Sequence, residues 1–276
     1  MLRAVRVQGE VQLDGRLDEP DWLTAPAAGG FLQRDPEQGQ PATESTELRL
    51  LFDDHALYAG VRLRDSTPGA ISRQLSRRDA VAEADSFALF LDPQHDHRTG
   101  VVLEVSAAGV QRDAALYDDN FEDVTWDAVW ESAVTRDAEG WTLEMRIPFS
   151  QLRFPAVSES WGVNARRVVH RKNESSWLVL VPKNESGLVS RMAHLEGIAE
   201  IQPGRHLELL PYARALAEYV EPPVSGNPWN DGSRYSAGAG LDLKYGLGTG
   251  MTLVGALNPD FGQVEVDPAV VNLTAF

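Results

Sequence analysis

An aromatic ring with polar side chains beside it can cover an apolar C–H face of a ligand while the polar groups take its hydroxyls. The chain holds seven Trp, and Trp177 closes the stretch RKNESSW, with Arg171, Asn173 and Glu174 just before it. A loop Trp beside an Arg, an Asn and a Glu is the best platform for a polyhydroxylated ligand in the sequence; the plainer reading is a polar turn next to a structural Trp. Trp126 follows the acidic stretch 118–123 and is expected to be exposed. Arg78 and Asp79, next to Arg77, form a second polar group whose guanidinium forks suit vicinal hydroxyls or carboxylated sugars. A solvated loop with one Arg–Asp pair is the favoured reading of that group. Trp22, Trp130, Trp141 and Trp161 read as core pins.

Metal chemistry is the next candidate. Calcium takes roughly six to eight oxygen ligands, and Asp118, Asp119 and Asp123, with Asn120 and Glu122 between them, concentrate such oxygens. Their spacing is not that of an EF-hand, which needs a Gly at its sixth position and a Glu at its twelfth. His95 and His97 sit in a turn flanked by Asp92 and Asp96. At i and i+2 they share a strand face, the start of a zinc or nickel site, but the sequence sets no third ligand beside them, so a solvated hairpin tip is the simpler state. Catalysis has no motif: G-x-S-x-G, H-E-x-x-H and the P-loop are absent. With 41 acids in the chain, pairs of carboxylates are unavoidable and indicate no glycosidase by themselves.

The bulk numbers narrow the partners. The 276 residues carry a formal charge of −16 and a pI near 4.7, which argues against nucleic acid and anionic membrane surfaces. The absence of Cys removes disulfides, Cys-ligated zinc and thiol chemistry. No run of about 18 apolar residues marks a transmembrane helix. MLRAVRVQGE lacks the apolar region of a signal peptide, so the sequence read alone is expected to carry no leader.

Positioning elements follow from period-two alternation. Leu48, Leu50 and Phe52; Leu57, Ala59, Val61 and Leu63; Phe87, Leu89 and Leu91; Val101, Leu103 and Val105; and Trp141, Leu143, Met145 and Ile147 each mark a strand, with further strands at Trp161–Val169 and 177–181. Turn signals such as Asp53-Asp54 and Glu139-Gly140 separate them. Many short strands at this spacing predict an antiparallel sandwich. In LDGRLDEPDW (13–22), Asp14-Gly15 marks a tight turn and Pro20 the start of a short helical turn. Trp22 is expected to pin that turn to the core, with Asp18 and Glu19 holding backbone amides. Past Pro203-Gly204 the texture changes. Strands of about ten residues at 206–220, 235–245 and Met251–Leu257, apolar on one face and small or polar on the other, fit outer-membrane barrel strands, and a soluble sheet edge fits nearly as well. Three strands cannot close a barrel of about eight, and the chain stops at Phe276 inside a run that reads as ongoing, so a fragment of a longer protein is expected.

The order LDGRLDEPDW, TELRLLFDDHALYAGVRLRD (46–65), DSFALFLDP (85–93), GWTLEMRIPFSQL (140–152) and WGVNARRV (161–168) resembles a family 9 carbohydrate-binding module-like domain. LPYARA (210–215), GAGLDLKYGL (238–247) and NPDFGQVEVDPAVVNLTAF (258–276) resemble proteins that pair such a domain with an outer-membrane β-barrel of unknown function. The resemblance implies an all-β, antiparallel, jelly-roll-like β-sandwich over 1–202, followed by the first antiparallel strands of a truncated barrel over 203–276. It implies non-catalytic binding of an oligo- or polysaccharide at the envelope of a Gram-negative bacterium, in the periplasm or outer membrane, with the rest of the barrel as partner and a structural calcium as the one cofactor. The alternatives are a structural or interaction domain without a sugar, a glycoside-hydrolase-associated domain, and haem held by Met145 or Met192 with His170 or His194.

Overall fold

The structure, a computed structural model, describes residues 2–80, 83–155, 160–198, 201, 207–219, 233–247 and 251–258. They fall into two compact units, Met1–Gly204 and Arg205–Phe276. In chain order the first unit contains β1 (Leu2–Arg6), α1 (Pro20–Thr24), β2 (Leu32–Asp35), β3 (Thr46–Phe52), β4 (Ala56–Arg64), β5 (Ser86–Asp92), β6 (Gly100–Ser106), β7 (Gln111–Tyr117), β8 (Phe121–Asp123), β9 (Glu131–Asp137), β10 (Gly140–Pro148), β11 (Trp161–Val169), β12 (Glu174–Trp177) and β13 (Ala193–Glu196). The second contains β14 (Leu207–Tyr219), β15 (Ser233–Leu247) and β16 (Met251–Leu257).

The strands of the first unit run in the order β8-β7-β6-β5-β11-β13-β1-β3-β4-β10-β9, with β12 and β2 added at the side of β11. This long sheet curls on itself into a sandwich, as the alternation predicts. Phe87, Leu89 and Leu91 of β5, Leu103 and Val105 of β6, and Val163 and Ala165 of β11 share one core with Leu48 and Leu50 of β3, Ala59, Val61 and Leu63 of β4, and Trp141, Leu143 and Met145 of β10. The hinge between the halves is β1, which pairs in parallel with both β13 and β3; the other ladders of this unit are antiparallel. Where alternation predicts a strand over 177–181, the strand ends at Trp177. Beyond it the Asn164 side chain takes over, its Oδ1 accepting from Val179 N–H and its amide donating to Val179 O.

The stretch 13–22 lies on the outer face of the β3–β4–β10 half. Trp22 is buried there with Ala25, Leu51, Ala56 and Tyr58. Its ring occupies the space a side chain at Gly60 would need, since a Cβ there would stand 2.7 Å from it. Pro20 opens α1, as expected. Its anchor is an acid from a distant strand: Glu144 of β10 accepts from Asp14 N–H, Gly15 N–H and Trp22 Nε1–H at 2.9, 2.7 and 3.1 Å. Glu19 accepts from Gln12 N–H as expected. It is Asp21 that holds Gln8 and Gly9.

In the second unit β14, β15 and β16 form an antiparallel three-stranded sheet. The register sets Leu209, Pro211, Ala213, Ala215, Ala217 and Tyr219 on one face with Tyr235, Ala237, Ala239, Leu241, Leu243 and Tyr245 and with Leu253 and Leu257. Arg214, Glu218, Arg234 and Asp242 fall on the other face, among Leu210, Leu216 and Val254. No described helix is long and apolar enough to cross a membrane.

Candidate functional site

Because Phe87, Leu89 and Leu91 point inward, the alternate residues of β5 and its neighbours build an outer face. Pairing aligns Arg112 of β7, Glu104 of β6, Ala88 of β5, Arg166 of β11 and Trp177 of β12 in one cross-strand row. The small Ala88 at its centre leaves a depression between the longer side chains. Glu104 organises the row: it accepts from Arg166 at 3.1 Å, from Arg112 at 3.5 Å and from the Ser86 hydroxyl at 2.6 Å. Arg112 donates as well to Glu122 of β8. Phe90 lies beside the row, its ring 5.1 Å from that of Trp177, and the Arg166 guanidinium lies 5.8 and 5.6 Å from the two rings, within cation–π range.

The result is a groove of two adjoining depressions, of about 330 and 270 Å³, that share Arg166 and Glu122. One part is lined by Ser86, Glu104, Ser106, Arg112 and His170, the other by Phe90, Trp177, Arg34 and Asn120. Within these residues Trp177 Nε1–H and Arg166 Nε–H are themselves buried and have no protein acceptor. Buried N–H groups normally find one. Guanidinium forks, carboxylate oxygens, hydroxyls and an apolar ring pair are the chemistry that recognises a polyhydroxylated ligand.

The four residues expected at the platform are not brought together around a ligand. Trp177 is only 7% exposed and packs on Phe90. Arg171 makes a two-pronged ion pair with Asp65, at 2.6 and 2.9 Å, and reaches Glu44 at 3.1 Å. Glu174 is buried and accepts from the Thr43 amide and hydroxyl. Asn173 is exposed in the left-handed conformation (φ 48°) that ends a single 3-10 turn. Arg171 and Glu174 thus join the fully buried Arg167, which donates to Ser45 O, Thr46 Oγ1 and Arg64 O, in closing one end of the sandwich. The structure also places Trp126 against the core, half-buried rather than exposed.

Arg78 is a brace. It donates to Asp113 at 2.6 Å, Asp127 at 3.1 Å, Gln111 at 2.8 Å and Ala128 O at 2.8 Å. Asp79 accepts from Asp113 N–H and lies 3.5 Å from the Arg78 Nε. Asp113 is wholly buried, and burial raises its carboxyl above the usual range, against the Trp130 Nε1–H bond that favours the ion. Asp79, Asp113 and Asp127 form the only described trio of metal-ligating side chains with donor atoms all within 4.8 Å of one another, and the Arg78 guanidinium already contacts all three. The acids expected to hold calcium have separate tasks. Asp119 caps the turn at 188–190, accepting from Leu188 and Ser190 N–H. Asp118 pairs with Arg98 at 2.9 Å, and Asp123 accepts from Thr125.

Glu104, Arg112, Arg166 and Phe90 carry no local mark of this row in the sequence, and Glu122 reads there only as one oxygen among the calcium candidates. The available signal was a charge at an outward position of an otherwise apolar strand, as in VVLEVS. The pairing that gathers these charges into one row is long-range and leaves no local mark.

Residues 13–175 match the model of the carbohydrate family 9 binding domain-like family, and the chain belongs to that family. Residues 203–276 match a domain of unknown function, DUF5916. A family 9 carbohydrate-binding module from Caldicellulosiruptor kristjanssonii in complex with cellotriose is similar in fold, with a TM-score of 0.51 at 15% identity over 71% of this chain and 92% of that one. The same organism's module in complex with glucose gives 0.50 at 16% over 70% and 94%. A protein of Bacteroides uniformis described as carbohydrate-binding gives 0.55 at 11% over 71% and 97%. No curated protein matches the chain.

Proposed function

We propose that the sandwich binds carbohydrate, without cleaving it, in the groove over β7, β6, β5, β11 and β12. The observation that carries this reading is the cross-strand row of Arg112, Glu104, Arg166 and Trp177, with Phe90 beside it, which lines the two adjoining depressions. Membership of the family and the cellotriose and glucose complexes of its structural neighbours support a neutral glucan as ligand. Glu104 and Glu122 are each paired with arginine, Glu104 with Arg112 and Arg166 and Glu122 with Arg112, which makes them parts of the binding row. Titration calorimetry with glucose and cello-oligosaccharides tests the reading. Binding is expected to weaken at least tenfold in Arg166→Ala and to be lost in Trp177→Ala, with the fold retained by circular dichroism. Absence of heat with the native chain at millimolar sugar would sink it.

We further infer that the second unit is a sector of an outer-membrane-type barrel, which sets the sandwich at the cell envelope. Its support is the register. One face has no charge among its described side chains, with Tyr219 and Tyr235 at one end and Tyr245 at the other. The ten steps from Tyr235 to Tyr245, at ~3.4 Å each and tilted by ~45°, rise ~24 Å, close to the ~25 Å apolar band of such barrels.

A further inference from the structure

His95 and His97 lie in the hairpin between β5 and β6, and β13 brings a third imidazole to them. The His95 ring stands 4.6 Å from that of His97 and 5.0 Å from that of His194. The meeting follows from the ladder. Asp92, Gly162 and His194 lie in one row across β5, β11 and β13, and Gly162 between them contributes no side chain. The hairpin is held by the buried Asp92, whose carboxylate accepts from His97 N–H at 2.9 Å and from Asp96 N–H at 3.3 Å. Both histidines of the hairpin have positive φ, 52° and 59°, a left-handed conformation uncommon outside Gly that His, like Asn and Asp, adopts more readily than other side chains. Such backbone persists where the surroundings over-determine it.

We propose that His95, His97 and His194 bind a divalent transition-metal ion that prefers imidazole, with Zn²⁺ as the reference ion. Two observations at His95 point to a ligand. Its Nδ1 is paired with the Ser160 hydroxyl at 3.1 Å, the kind of outer contact that fixes tautomer and ring orientation in metal-bound histidines. Its Nε2 is buried and has no partner. With Nδ1 engaged, Nε2 is the atom that remains to coordinate. The ring separations agree with the assignment, because imidazoles on one tetrahedral ion at ~2.0–2.1 Å have centroids about 5 Å apart. The rings now meet edge to face. Their donor atoms are not all within 4.8 Å of one another, so closing on an ion requires rotation of His97 and His194. Both side chains are exposed and free to turn about χ2. An all-imidazole donor set favours Zn²⁺, Ni²⁺ or Cu²⁺ over Ca²⁺ or Mg²⁺.

Titration calorimetry with ZnCl₂, on the full chain with any histidine tag removed, tests the site. One ion per chain is expected. Affinity should fall at least tenfold in His194→Ala and in His97→Ala, whose exposed side chains support no core, and severalfold in Ser160→Ala. His55→Ala, on a remote exposed turn, should bind as the native chain does, and Ca²⁺ should not compete. Co²⁺ in place of Zn²⁺ should show visible ligand-field absorption that His194→Ala diminishes. No Zn²⁺ binding by the native chain would overturn the proposal. So would binding that His97→Ala and His194→Ala both leave unchanged.

Discussion

Arg78 shows how far one residue's role depends on partners the sequence does not set beside it. Its neighbour in the chain is Asp79, but its shortest bond goes to Asp113, an acid with no exposed surface whose Oδ1 has no partner. Removing one member of a buried pair leaves a charge uncompensated, at a cost of about 3–5 kcal/mol. Arg78 is itself partly exposed, so Arg78→Ala is expected near the lower end, about 3 kcal/mol by denaturant unfolding. The same variant vacates a position contacted by Asp79, Asp113 and Asp127. Millimolar Ca²⁺ is therefore expected to raise the melting temperature of Arg78→Ala more than that of the native chain, through mass action on the folded state. An equal response in both proteins would show that guanidinium and cation do not share the place.

At the scale of elements, the anchoring of 13–22 by Glu144 gives stability a pH dependence. Burial pushes the Glu144 carboxyl up to about 7 from an ordinary 4.5, against three N–H donors that favour the ion. Between those values the folded chain holds a proton that the unfolded chain has released. Stability therefore falls as pH rises through this window, by at most about 3 kcal/mol. Melting temperatures between pH 5 and 8 should show the decline, and Glu144→Gln, which mimics the protonated acid, should flatten it. An unchanged slope in the variant would assign the effect to another group. The sequence exposed the strands of this half through clean alternation, as in Trp141, Leu143, Met145 and Ile147, because one face of each is core. It hid β12, where ESSW buries Glu174 and Ser176: a buried polar residue satisfied by Thr43, far away in the chain, reads locally as a solvated turn. The groove escaped for the same reason, since Arg112, Glu104 and Arg166 look like solvent-facing charges until pairing sets them side by side. Trp177 belongs to that groove, but as part of its wall beside Arg166, and Arg171 and Glu174 serve the closed end of the sandwich.

At the scale of the whole molecule, the two units place apolar surface in opposite ways. In the sandwich, Phe87, Leu89, Val61 and Trp141 are wholly buried. In the three-stranded sheet Leu209, Leu253, Leu257, Tyr219 and Tyr235 are each more than half exposed. Soluble chains rarely leave so large an apolar face uncovered, and the barrel sector proposed above would set the uncharged face against lipid. The two faces of the sheet then make opposite predictions for a charge. Ala239 lies mid-strand on the uncharged face, paired with Ala213, and Ser236 lies on the face that carries Arg214 and Asp242. Arginine at the bilayer midplane of a barrel costs about 2–4 kcal/mol on the lipid side and far less on the lumen side. Ala239→Arg is therefore expected to weaken partitioning of the full chain into phosphatidylcholine vesicles by about 30-fold or more, as measured by flotation, whereas Ser236→Arg changes it by less than about threefold. Equal effects of the two substitutions would mean that the sheet does not present one face to lipid, and would overturn the barrel reading proposed for it.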